Sequence, residues 1–519
     1  MNTTDFLTVT AAICPERDAI IFEGTHISYA QLQDNVNKLA NSLKSLGLQK
    51  NDVVAMLQVN CPECLETYFA CAKLNLIYLP LNFRVREEEL HHLLNHAEAK
   101  ALFLGTRYED PVNKILPGLP SIKHVITLDV RRAGMLFYKD MVGSFANDEV
   151  ITNIDDDDIT ILMYTAGTTG LPKGVPLRHS GFVSYVLDNV EPVNPDISEA
   201  NVLTVPLYHV AGIQAVMAGI YGGRTLVLMR QFNVTEWMQT VERERVNRAM
   251  LVPTMLKYIV ENPDYNKYDL SSLKVITYGA APMPFDVISK ALKLMPRVKF
   301  INAFGQTETA STISALGPED HIIEGTEAEK EKKIRRLTQS IGKALPDVRV
   351  KIVNEDGEDL PVGQVGEIVA KGARIMNGYW RDDEKTRQSF TRDGWLITRD
   401  RGWIDEDDYI YLMGRGDDII IRGGENIAPG EIENALTSHP KVEEAAVIGV
   451  GDAEWGQVPI AVVTLKKGQK ASSEELIEHC HKILASFKRP KRVIIVDELP
   501  RNAMGKLLKN KLREQFGNS

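Results

Sequence analysis

The chain has 519 residues with 44% hydrophobic and 25% charged side chains, proportions typical of a globular protein with several folding units. No stretch approaches the roughly 18 consecutive apolar residues of a membrane-spanning helix, and the first residues lack the basic start of a secretory signal peptide. The five cysteines form no even framework for disulfides, so we expect a reducing, cytoplasmic environment. The net charge of −10 argues against DNA or RNA as the partner of the whole surface.

The charge is distributed unevenly along the chain. Residues 466–514 contain 13 lysines and arginines against 6 aspartates and glutamates, although the whole chain is acidic. Such a basic segment indicates either a binding site for an anionic ligand or a solvated helical face. Composition alone does not separate these two interpretations.

Strands and helices alternate through the first half of the chain. Ser28 with Gln31 three residues later forms a capping-box pattern, and apolar residues at helical spacing predict a helix from Tyr29 to about Leu46. A strand at 53–57 and a helix ending near Leu74 follow. Further strands are predicted at 101–104, 124–128, 159–165, 202–205, 224–229, 248–252 and 273–278. This alternation indicates largely parallel sheets covered by helices.

The pattern changes at about residue 341. Apolar residues alternate over 348–352, a turn follows at 354–357, and a further strand at 366–370 completes a predicted antiparallel β region. The tail is predicted to contain helix 431–438, strands 444–450 and 459–465, helix 473–485, strand 492–496 and helix 506–514. We therefore predict an α/β protein with a large N-terminal domain of stacked α/β sheets plus the β region, residues 1–416, and a small α+β C-terminal domain, residues 417–519.

The most informative segment is Tyr164–Gly174, Tyr-Thr-Ala-Gly-Thr-Thr-Gly-Leu-Pro-Lys-Gly, which lies between a predicted strand and a predicted helix. Its glycines let backbone amides turn inward, the hydroxyls of Thr165, Thr168 and Thr169 can donate hydrogen bonds, and Lys173 supplies positive charge. Together these groups suit a polyphosphate. The glycine spacing and the proline before the lysine differ from a Walker A loop.

Several segments in the same order resemble the adenylate-forming superfamily, which includes acyl-CoA synthetases, the adenylation domains of peptide synthetases and luciferases. The matching segments are Tyr164–Gly174 for the phosphate loop, Tyr278–Pro282 for the adenine-binding strand end, Asn302–Thr309 for the second nucleotide motif, Asp393–Glu433 for the fatty acyl-CoA synthetase signature and Pro500–Lys506 for the terminal lysine motif. Phe304 stands where the family often has tyrosine. The resemblance covers nearly the whole chain.

The resemblance implies an AMP-forming acyl-CoA synthetase, or fatty-acid–CoA ligase, that uses ATP, Mg²⁺ and coenzyme A. Its small domain would be mobile and would carry the catalytic lysine. A carboxylate would attack the α-phosphate of ATP to give an acyl-adenylate and pyrophosphate, and the thiol of coenzyme A would then displace AMP. The implied ATP-binding residues are Thr165, Gly167, Thr168, Thr169, Gly170, Lys173, Gly279, Ala280, Ala281, Asn302, Ala303, Phe304, Gly305, Thr307, Asp400, Arg415 and Lys506.

The resemblance also implies individual roles. Glu308 and Thr165 would hold Mg²⁺, which prefers such hard oxygen ligands. Asp400 would accept hydrogen bonds from the ribose hydroxyls, and Arg415 would contact ribose or phosphate. Lys506 would bridge the substrate carboxylate and the α-phosphate, where negative charge accumulates.

Residues 206–212, Pro-Leu-Tyr-His-Val-Ala-Gly, resemble the substrate gate of the family. His209 would lie near the carboxylate end of the acyl tunnel. The gate contains no acidic residue, which disfavours amino-acid substrates. We expect an apolar acid, with medium- or long-chain fatty acids favoured, while a cyclic or aromatic acid such as cyclohexanecarboxylate or benzoate stays open as an alternative.

The tail contains positions that resemble the coenzyme A site of some relatives. The residues concerned are Gly423, Gly424, Trp455, Phe487 and Arg489. The aromatic side chains would flank the pantetheine arm and the arginine would pair with a phosphate. Packing between domains is the competing interpretation of Trp455, Phe487 and Arg489. Asp417, where the small domain begins, would be the hinge.

One residue departs from the family pattern. The family usually has glycine in the Thr-Gly-Asp that precedes the ribose contact, whereas this chain has Thr398-Arg399-Asp400. If the backbone there requires a positive φ, Arg399 introduces strain of about 1–3 kcal/mol.

Cys61-Pro62-Glu63-Cys64 has the CxxC spacing, but no second pair completes a zinc ligand set, and we interpret it as part of a helix. The eleven histidines include no HExxH pattern, so a zinc site is not expected.

Two other classes of function stay open. The first is an acyl-adenylate synthetase that loads a carrier protein, and the second, motivated by Arg399, is a non-catalytic nucleotide- or acyl-binding protein. A luciferase-like oxygenase has no independent support. The expected partners are a small carboxylic acid, ATP and coenzyme A, with no nucleic acid. The sequence is compatible with a homo-oligomer and with peripheral membrane contact.

Overall fold

The computed structural model describes residues 1–165, 172–422, 425–452, 455–501 and 507–517, except for the side chains of residues 417 and 426. The helices in these ranges are α1 (Thr3–Ile13), α2 (Tyr29–Ser45), α3 (Pro62–Lys73), α4 (Glu87–His96), α5 (Glu109–Ile115), α6 (Tyr138–Ser144), α7 (His179–Asn189), α8 (Val210–Tyr221), α9 (Val234–Arg243), α10 (Pro253–Val260), α11 (Phe285–Leu294), α12 (Glu327–Gln339), α13 (Asp383–Arg387), α14 (Pro429–Thr437), α15 (Ser473–Ile483) and α16 (Lys509–Phe516).

The strands in the same ranges are β1 (Asp18–Phe22), β2 (Thr25–Ser28), β3 (Val53–Leu57), β4 (Ile77–Pro80), β5 (Ala101–Leu104), β6 (His124–Thr127), β7 (Leu136–Phe137), β8 (Ile159–Thr165), β9 (Lys173–Arg178), β10 (Ala200–Leu203), β11 (Thr225–Leu228), β12 (Arg248–Leu251), β13 (Val275–Gly279), β14 (Lys299–Gln306), β15 (Ser311–Leu316), β16 (Ser340–Ala344), β17 (Val348–Val353), β18 (Gly366–Gly372), β19 (Leu396–Ile404), β20 (Ile410–Arg415), β21 (Ile420–Arg422), β22 (Glu425–Ile427), β23 (Val442–Asp452), β24 (Gly456–Leu465) and β25 (Arg492–Ile495).

Two large sheets form the N-terminal part. One has seven strands in the order β7-β6-β5-β3-β4-β8-β9, all parallel except for the last pair. The other has thirteen strands, and it is parallel from β14 through β13, β12, β10 and β11 to β1. The stacked parallel sheets that the sequence predicts are therefore confirmed.

The antiparallel β region is also confirmed, but it is not a separate sheet. Strand β16 pairs with β15 on one side and with β20 on the other, so β17–β20 continue the thirteen-stranded sheet. As a result, the predicted ATP-binding residues on β14 and on β19 belong to one sheet, although about a hundred residues separate them in the chain.

The predicted helix after Ser28 shows how local signals define an element. The Ser28 hydroxyl accepts a hydrogen bond from the Gln31 amide at 3.2 Å, and the Gln31 side chain accepts one from the Ser28 amide at 2.8 Å. Such a cap commonly stabilises a helix by about 1 kcal/mol. The buried side chains of this helix, including Leu32, Val36 and Leu39, enter the largest hydrophobic core, which also contains residues of α3 and α8.

The C-terminal residues form a small sheet with its own core. Strands β22, β21, β24 and β23 are neighbours in that order, and β25 pairs with β24. Ile420, Leu436, Val447 and Leu476 are buried in one cluster between this sheet and its helices. A 3₁₀ turn at Gly416–Asp418 connects β20 to this unit. The boundary between residues 416 and 417 stays a prediction. In the described part of the chain, no helix is both long and apolar enough to span a bilayer.

Candidate functional site

Glu308 lies in a 3₁₀ turn, Thr307–Thr309, directly after β14. Its Oε1 accepts a hydrogen bond of 2.9 Å from the Tyr379 hydroxyl, and its carbonyl accepts one of 2.9 Å from the Met376 amide. Burial, followed by the nearby Glu308 carboxylate, raises the pKa of Tyr379, so its hydroxyl stays a donor at neutral pH. The segment around residue 379 therefore fixes the direction in which the Glu308 carboxylate points. Sequence reasoning did not identify Tyr379, and no motif signalled it.

Lys173 lies beside the same tyrosine. It begins β9, which pairs with β8 so that Lys173 faces Thr165 across the hairpin. The Lys173 ammonium is 4.8 Å from the centre of the Tyr379 ring. Burial, with the charge of Arg399 as a second cause, lowers the pKa of Lys173. Two basic side chains thus lie near Glu308, as binding of an anionic ligand requires.

Strands β8 and β9 form a hairpin, and the helix predicted near Ser180 follows it as α7, whereas β9 itself was not predicted. Strand β9 precedes α7, so the hairpin and not a helix N-terminus presents the loop between β8 and β9. The predicted phosphate-loop residues Gly167, Thr168, Thr169 and Gly170 lie outside the described residues.

Asp400 and Arg415 form the second half of the site. They face each other across β19 and β20, and Arg415 Nε lies 3.1 Å from Asp400 Oδ1. Gln306 Nε2 lies 3.3 Å from Asp400 Oδ2, and it also donates to the Thr398 carbonyl at 3.1 Å. Gln306 precedes the Glu308 turn, so its amide connects the two halves. Its connecting role was not recognised from the sequence.

Arg399 adopts φ = +63°, which confirms the positive φ considered for this position. The register between β18 and β19 shifts at this point, where Glu367 pairs with Arg401 but Val369 pairs with Ile397. Such a bulge re-aims the side chains beside it and favours glycine in the left-handed conformation. The arginine is therefore strained, and the strain lies next to Asp400.

The predicted adenine-binding residues lie at the ends of two neighbouring parallel strands. Gly279 ends β13 and pairs with Ala303 on β14, and a Cβ at Gly279 would lie only 2.1 Å from the Ala303 carbonyl oxygen. Ala280 follows with φ = +68°, and Ala281 is exposed. The other predicted positions here are Asn302, Phe304, Gly305 and Thr307, which are half-buried except for the exposed Gly305. The strand ends thus leave backbone accessible next to Glu308.

His209 is the N-cap residue of α8, in the middle of the gate segment. Burial, followed by the positive charge of Arg84, lowers the pKa of His209 to about 4. The imidazole is therefore neutral at pH 7. Its ring centre lies 4.5 Å from that of Tyr208. Beyond it, the half-buried positions of the helix are Ala211, Ala215 and Ala218, together with Tyr221 at its last residue.

In the small C-terminal unit, two of the residues predicted to bind coenzyme A lie around one arginine. Arg422 lies 5.4 Å from the Trp455 ring centre and donates to the Phe487 carbonyl at 2.8 Å. Arg489 donates to the carbonyls of Leu484 and His481 at 3.2 and 3.1 Å, where α15 ends. In this arrangement the Arg489 guanidinium caps a helix, and its contact with a phosphate stays a prediction.

Four further predicted positions cannot be placed in the site. Gly423, Gly424 and Lys506 lie outside the described residues, and so does the Asp417 side chain. The Cys61–Cys64 pair begins α3, as the helical interpretation predicts, with the buried sulfurs 3.5 Å apart. In the ranges that the structure describes, no cluster of three or more His, Cys, Asp or Glu residues is arranged to hold a metal.

Two of the predicted residues can still bind Mg²⁺, although they do not form a complete ligand cluster. Glu308 and Thr165 supply a carboxylate and a hydroxyl, which are hard oxygen donors. Mg²⁺ is usually held by one or two carboxylates plus substrate phosphates, with no protein cage. The Glu308 carboxylate with the Thr165 hydroxyl satisfies that requirement.

Known proteins match the chain along most of its length. A family model described as AMP-binding enzyme matches residues 7–380, and one described as AMP-binding enzyme C-terminal domain matches residues 431–506. A putative acyl-CoA synthetase, YngI of Bacillus subtilis, is 33% identical over 98% of this chain and 95% of its own. An indoleacetate–CoA ligase of Aromatoleum aromaticum is 32% identical, with 99% and 98% covered. A fatty acid–[acyl-carrier-protein] ligase, ScoC of Streptomyces coeruleorubidus, is 31% identical, with 97% and 94% covered.

Solved structures agree with these matches. The anthranilate CoA ligase AuaEII in complex with anthranoyl-AMP superposes with a TM-score of 0.90 at 25% identity, covering 99% of this chain and 97% of that one. ATP-bound MatB from Rhodopseudomonas palustris gives a TM-score of 0.86 at 30% identity, with 100% and 99% covered.

Proposed function

The chain belongs to the AMP-binding enzymes as an AMP-forming acid–thiol ligase that uses ATP, Mg²⁺ and coenzyme A, and we propose that its acid substrate is aromatic or cyclic. The acid carboxylate would attack the α-phosphate of ATP, releasing pyrophosphate and leaving an acyl-adenylate. The thiol of coenzyme A would then attack the acyl carbon, releasing AMP and giving the thioester.

The observation that carries the substrate proposal is the face of α8 beside the gate. Ala211, Ala215 and Ala218 recur at helical spacing, and each is half-buried. Methyl groups form a flat, apolar surface, against which a planar ring packs closely. The names of two similar proteins, an indoleacetate–CoA ligase and an anthranilate CoA ligase, support a ring-containing acid.

We assign the adenylation step to the residues around Glu308. Glu308 and Thr165 would bind Mg²⁺ on the phosphates, and Lys173 would offset phosphate charge. Asp400 and Arg415 would hold the ribose, and Lys506 would meet the charge that develops at the α-phosphate. The polar connections from Tyr379 to Glu308 and from Gln306 to Asp400 support this assignment, because they preorganise two carboxylates, one directly after β14 and the other on β19.

The neutral His209 would lie at the carboxylate end of the acid. An uncharged imidazole can donate or accept a hydrogen bond without competing with Lys506 for the carboxylate. The remaining predicted positions around the adenine would provide backbone contacts at the ends of β13 and β14.

We assign coenzyme A to the small unit, with Trp455, Phe487 and Arg489 lining it together with Gly423 and Gly424. For Arg489 this requires that the guanidinium leave the carbonyls that it now caps. The basic segment 466–514 supports a phosphate-rich partner.

We also place the boundary of the mobile domain at residues 416 and 417, with Asp417 as the hinge. The 3₁₀ turn at Gly416–Asp418 supports this placement, because short irregular connections absorb large φ and ψ changes. Asp417→Pro locks φ near −65°. This change is expected to slow thioester formation far more than pyrophosphate exchange, and equal damage to both half-reactions would contradict a pivot here.

We propose a cytoplasmic location because all five cysteines are buried free thiols, which are typical of a reducing compartment.

A linear fatty acid is the second candidate, and a carrier protein is an alternative acceptor for the acyl group. Both are supported by the similarity to a fatty acid–[acyl-carrier-protein] ligase. The apolar gate without acidic residues suits a chain, since burying each CH₂ contributes about 0.8 kcal/mol.

The test is a ligation screen with ATP, Mg²⁺ and coenzyme A across fatty acids from C2 to C18, benzoate, cyclohexanecarboxylate and indoleacetate. The expected result is the highest kcat/KM with a ring-containing acid and thioester formation that depends on coenzyme A. A steady rise with chain length would favour the fatty-acid candidate, whereas the highest value with acetate would contradict both. Release of AMP that does not respond to coenzyme A would favour a carrier protein.

A further inference from the structure

Gln214 is a polar residue in the middle of the apolar helix α8. Its side chain is only 6% exposed. Its Oε1 lies 3.5 Å from the Thr312 hydroxyl, at the limit of a hydrogen bond. Its Nε2 is buried and has no hydrogen-bond partner among the residues that the structure describes. The amide therefore presents two N–H donors that no residue in the described ranges satisfies.

A buried donor without a partner is costly, because its hydrogen bonds to water are lost and not replaced. The surrounding residues do not require an amide, since the neighbouring Ile213, Val216 and Met217 are packed in the apolar core. A leucine at position 214 would fill similar space at lower cost. The amide is therefore best explained by a partner that is bound during the reaction.

The position of Gln214 indicates that partner. With 3.6 residues per turn, Gln214 is adjacent to Ala211 and Ala218 and forms the edge of the alanine face. It is five residues from His209, which corresponds to about 7.5 Å along the helix axis. An acid with its carboxylate at His209 and its ring on the alanines would thus bring the far side of the ring to the Gln214 amide.

The residue that contacts Gln214 from outside α8 supports the same position for the ring of the acid. Thr312, the only hydrogen-bond partner of the Gln214 side chain among the described residues, lies on β15 only four residues after Glu308. Gln214, on the helix that begins in the gate segment, therefore contacts the strand that follows the proposed Mg²⁺ residue. The Gln214–Thr312 contact thus connects the helix that His209 caps with the strand that follows the Glu308 turn.

We propose that Gln214 determines specificity by donating a hydrogen bond to an acceptor atom on the ring of the acid. The inference depends on the proposed function and narrows its substrate class to ring acids that carry an oxygen or nitrogen acceptor on the side away from the carboxylate. Specificity follows because an acid without the acceptor leaves the buried amide unpaired. A ring acid without the acceptor is then a poorer substrate than a ring acid of the same shape that carries it.

The experiment compares ring acids of equal shape that differ only in the acceptor. The pairs are tetrahydropyran-4-carboxylate with cyclohexanecarboxylate, pyridine-3- and pyridine-4-carboxylate with benzoate, and 4-methoxybenzoate with 4-ethylbenzoate. The wild-type protein is expected to show at least a tenfold higher kcat/KM for the acceptor-bearing member of at least one pair. Equal constants in every pair, with AMP formed, would overturn this inference and leave the proposed function intact.

Two substitutions assign the preference to the amide. Gln214→Leu removes both donors, and Gln214→Glu keeps the shape but replaces the NH₂ by an acceptor. Both are expected to reduce the preference to less than threefold. The matched control is Gln33→Leu on α2, another glutamine with a buried unpaired side-chain atom, which is expected to keep the full preference.

Persistence of the preference in a folded Gln214 variant would overturn the assignment. If neither variant folds, the comparison of acid pairs with the wild-type protein still tests the proposal, because equal kcat/KM values within every pair contradict it. Absence of AMP with every ring acid would overturn the proposed function, and this inference with it.

Discussion

The Tyr379 hydroxyl donates a 2.9 Å hydrogen bond to Oε1 of Glu308, joining residues 71 positions apart in the chain. The same ring lies 4.8 Å from the Lys173 ammonium. One aromatic side chain therefore positions both the proposed Mg²⁺ carboxylate and a phosphate-binding cation. This arrangement makes Tyr379 a positioning residue whose removal should affect metal dependence before it affects folding.

Tyr379→Phe tests that role. The substitution keeps the ring beside Lys173 but removes the donor to Glu308, and hydrogen bonds to charged groups are among the stronger ones. We expect kcat/KM for pyrophosphate exchange to fall about tenfold, with a higher Mg²⁺ concentration needed for half-maximal rate. Tyr258→Phe, at an exposed position on α10, is the control. An unchanged Mg²⁺ dependence in Tyr379→Phe would contradict the assignment.

Arg399→Gly should stabilise the fold. A non-glycine residue at φ = +63° carries strain, and glycine adopts this conformation freely, so we expect a gain of about 1 kcal/mol in the free energy of unfolding. The enzyme should stay active with a modest change in the KM for ATP. Urea unfolding of Arg399→Gly and of the control Arg401→Gly, on the same strand at negative φ, gives the comparison. Loss of adenylation would show that the arginine is essential.

The stability of the protein should fall as the pH is lowered from about 6.5 towards 4, in part through His209. The pKa of this residue is lowered to about 4 in the folded protein, whereas an unfolded histidine titrates near 6.5. The unfolded state therefore takes up the proton first, and the contribution present above pH 6.5 is lost across this window. Urea midpoints at pH 7, 6 and 5 should fall less steeply for His209→Gln than for the exposed control His481→Gln. Parallel curves would contradict a depressed pKa.

Lys506→Ala should separate the two half-reactions. The lysine is proposed to meet the charge that appears during adenylation, where one preorganised donor commonly contributes about 3–4 kcal/mol. We expect adenylation to fall about 10²- to 10³-fold, while preformed acyl-adenylate and coenzyme A still give thioester at nearly the wild-type rate. Single-turnover measurements of each half-reaction provide the test. Equal loss in both would mean that the lysine also acts in the second step or in folding.

Much of the architecture could be predicted from local patterns, because buried strands and amphipathic helices have recognisable periods. Strand β9 was missed because Pro176 interrupts its alternation. The structure tolerates that proline because β9 is the last strand of its sheet, where a missing N–H costs little. The continuity of the β region with the thirteen-stranded sheet was also not predictable, since it depends on the pairing of β16 with β20 between residues far apart in sequence.

In the candidate site, too, individual residues were predictable from local patterns, whereas the contacts between distant residues were not. The motifs identified Glu308, Lys173, Asp400 and Arg415 as separate positions, and the structure adds the groups that connect them. Tyr379 and Gln306 reach their partners across 71 and 94 positions, and no spacing rule relates residues so far apart. Arg399 was different, because the replacement of a family glycine at this position suggested a positive φ, and the structure confirms it.

The place of β19 and β20 in the thirteen-stranded sheet affects how the protein acquires its site during synthesis. Strands β13 and β14 can assemble as soon as residue 306 is available, but Asp400 and Arg415 are added only after another hundred residues. A nascent chain that stops before β20 holds a Gln306 amide facing a carboxylate that does not yet have its arginine partner. The proposed nucleotide site is therefore completed late in translation, when about four fifths of the polypeptide has emerged.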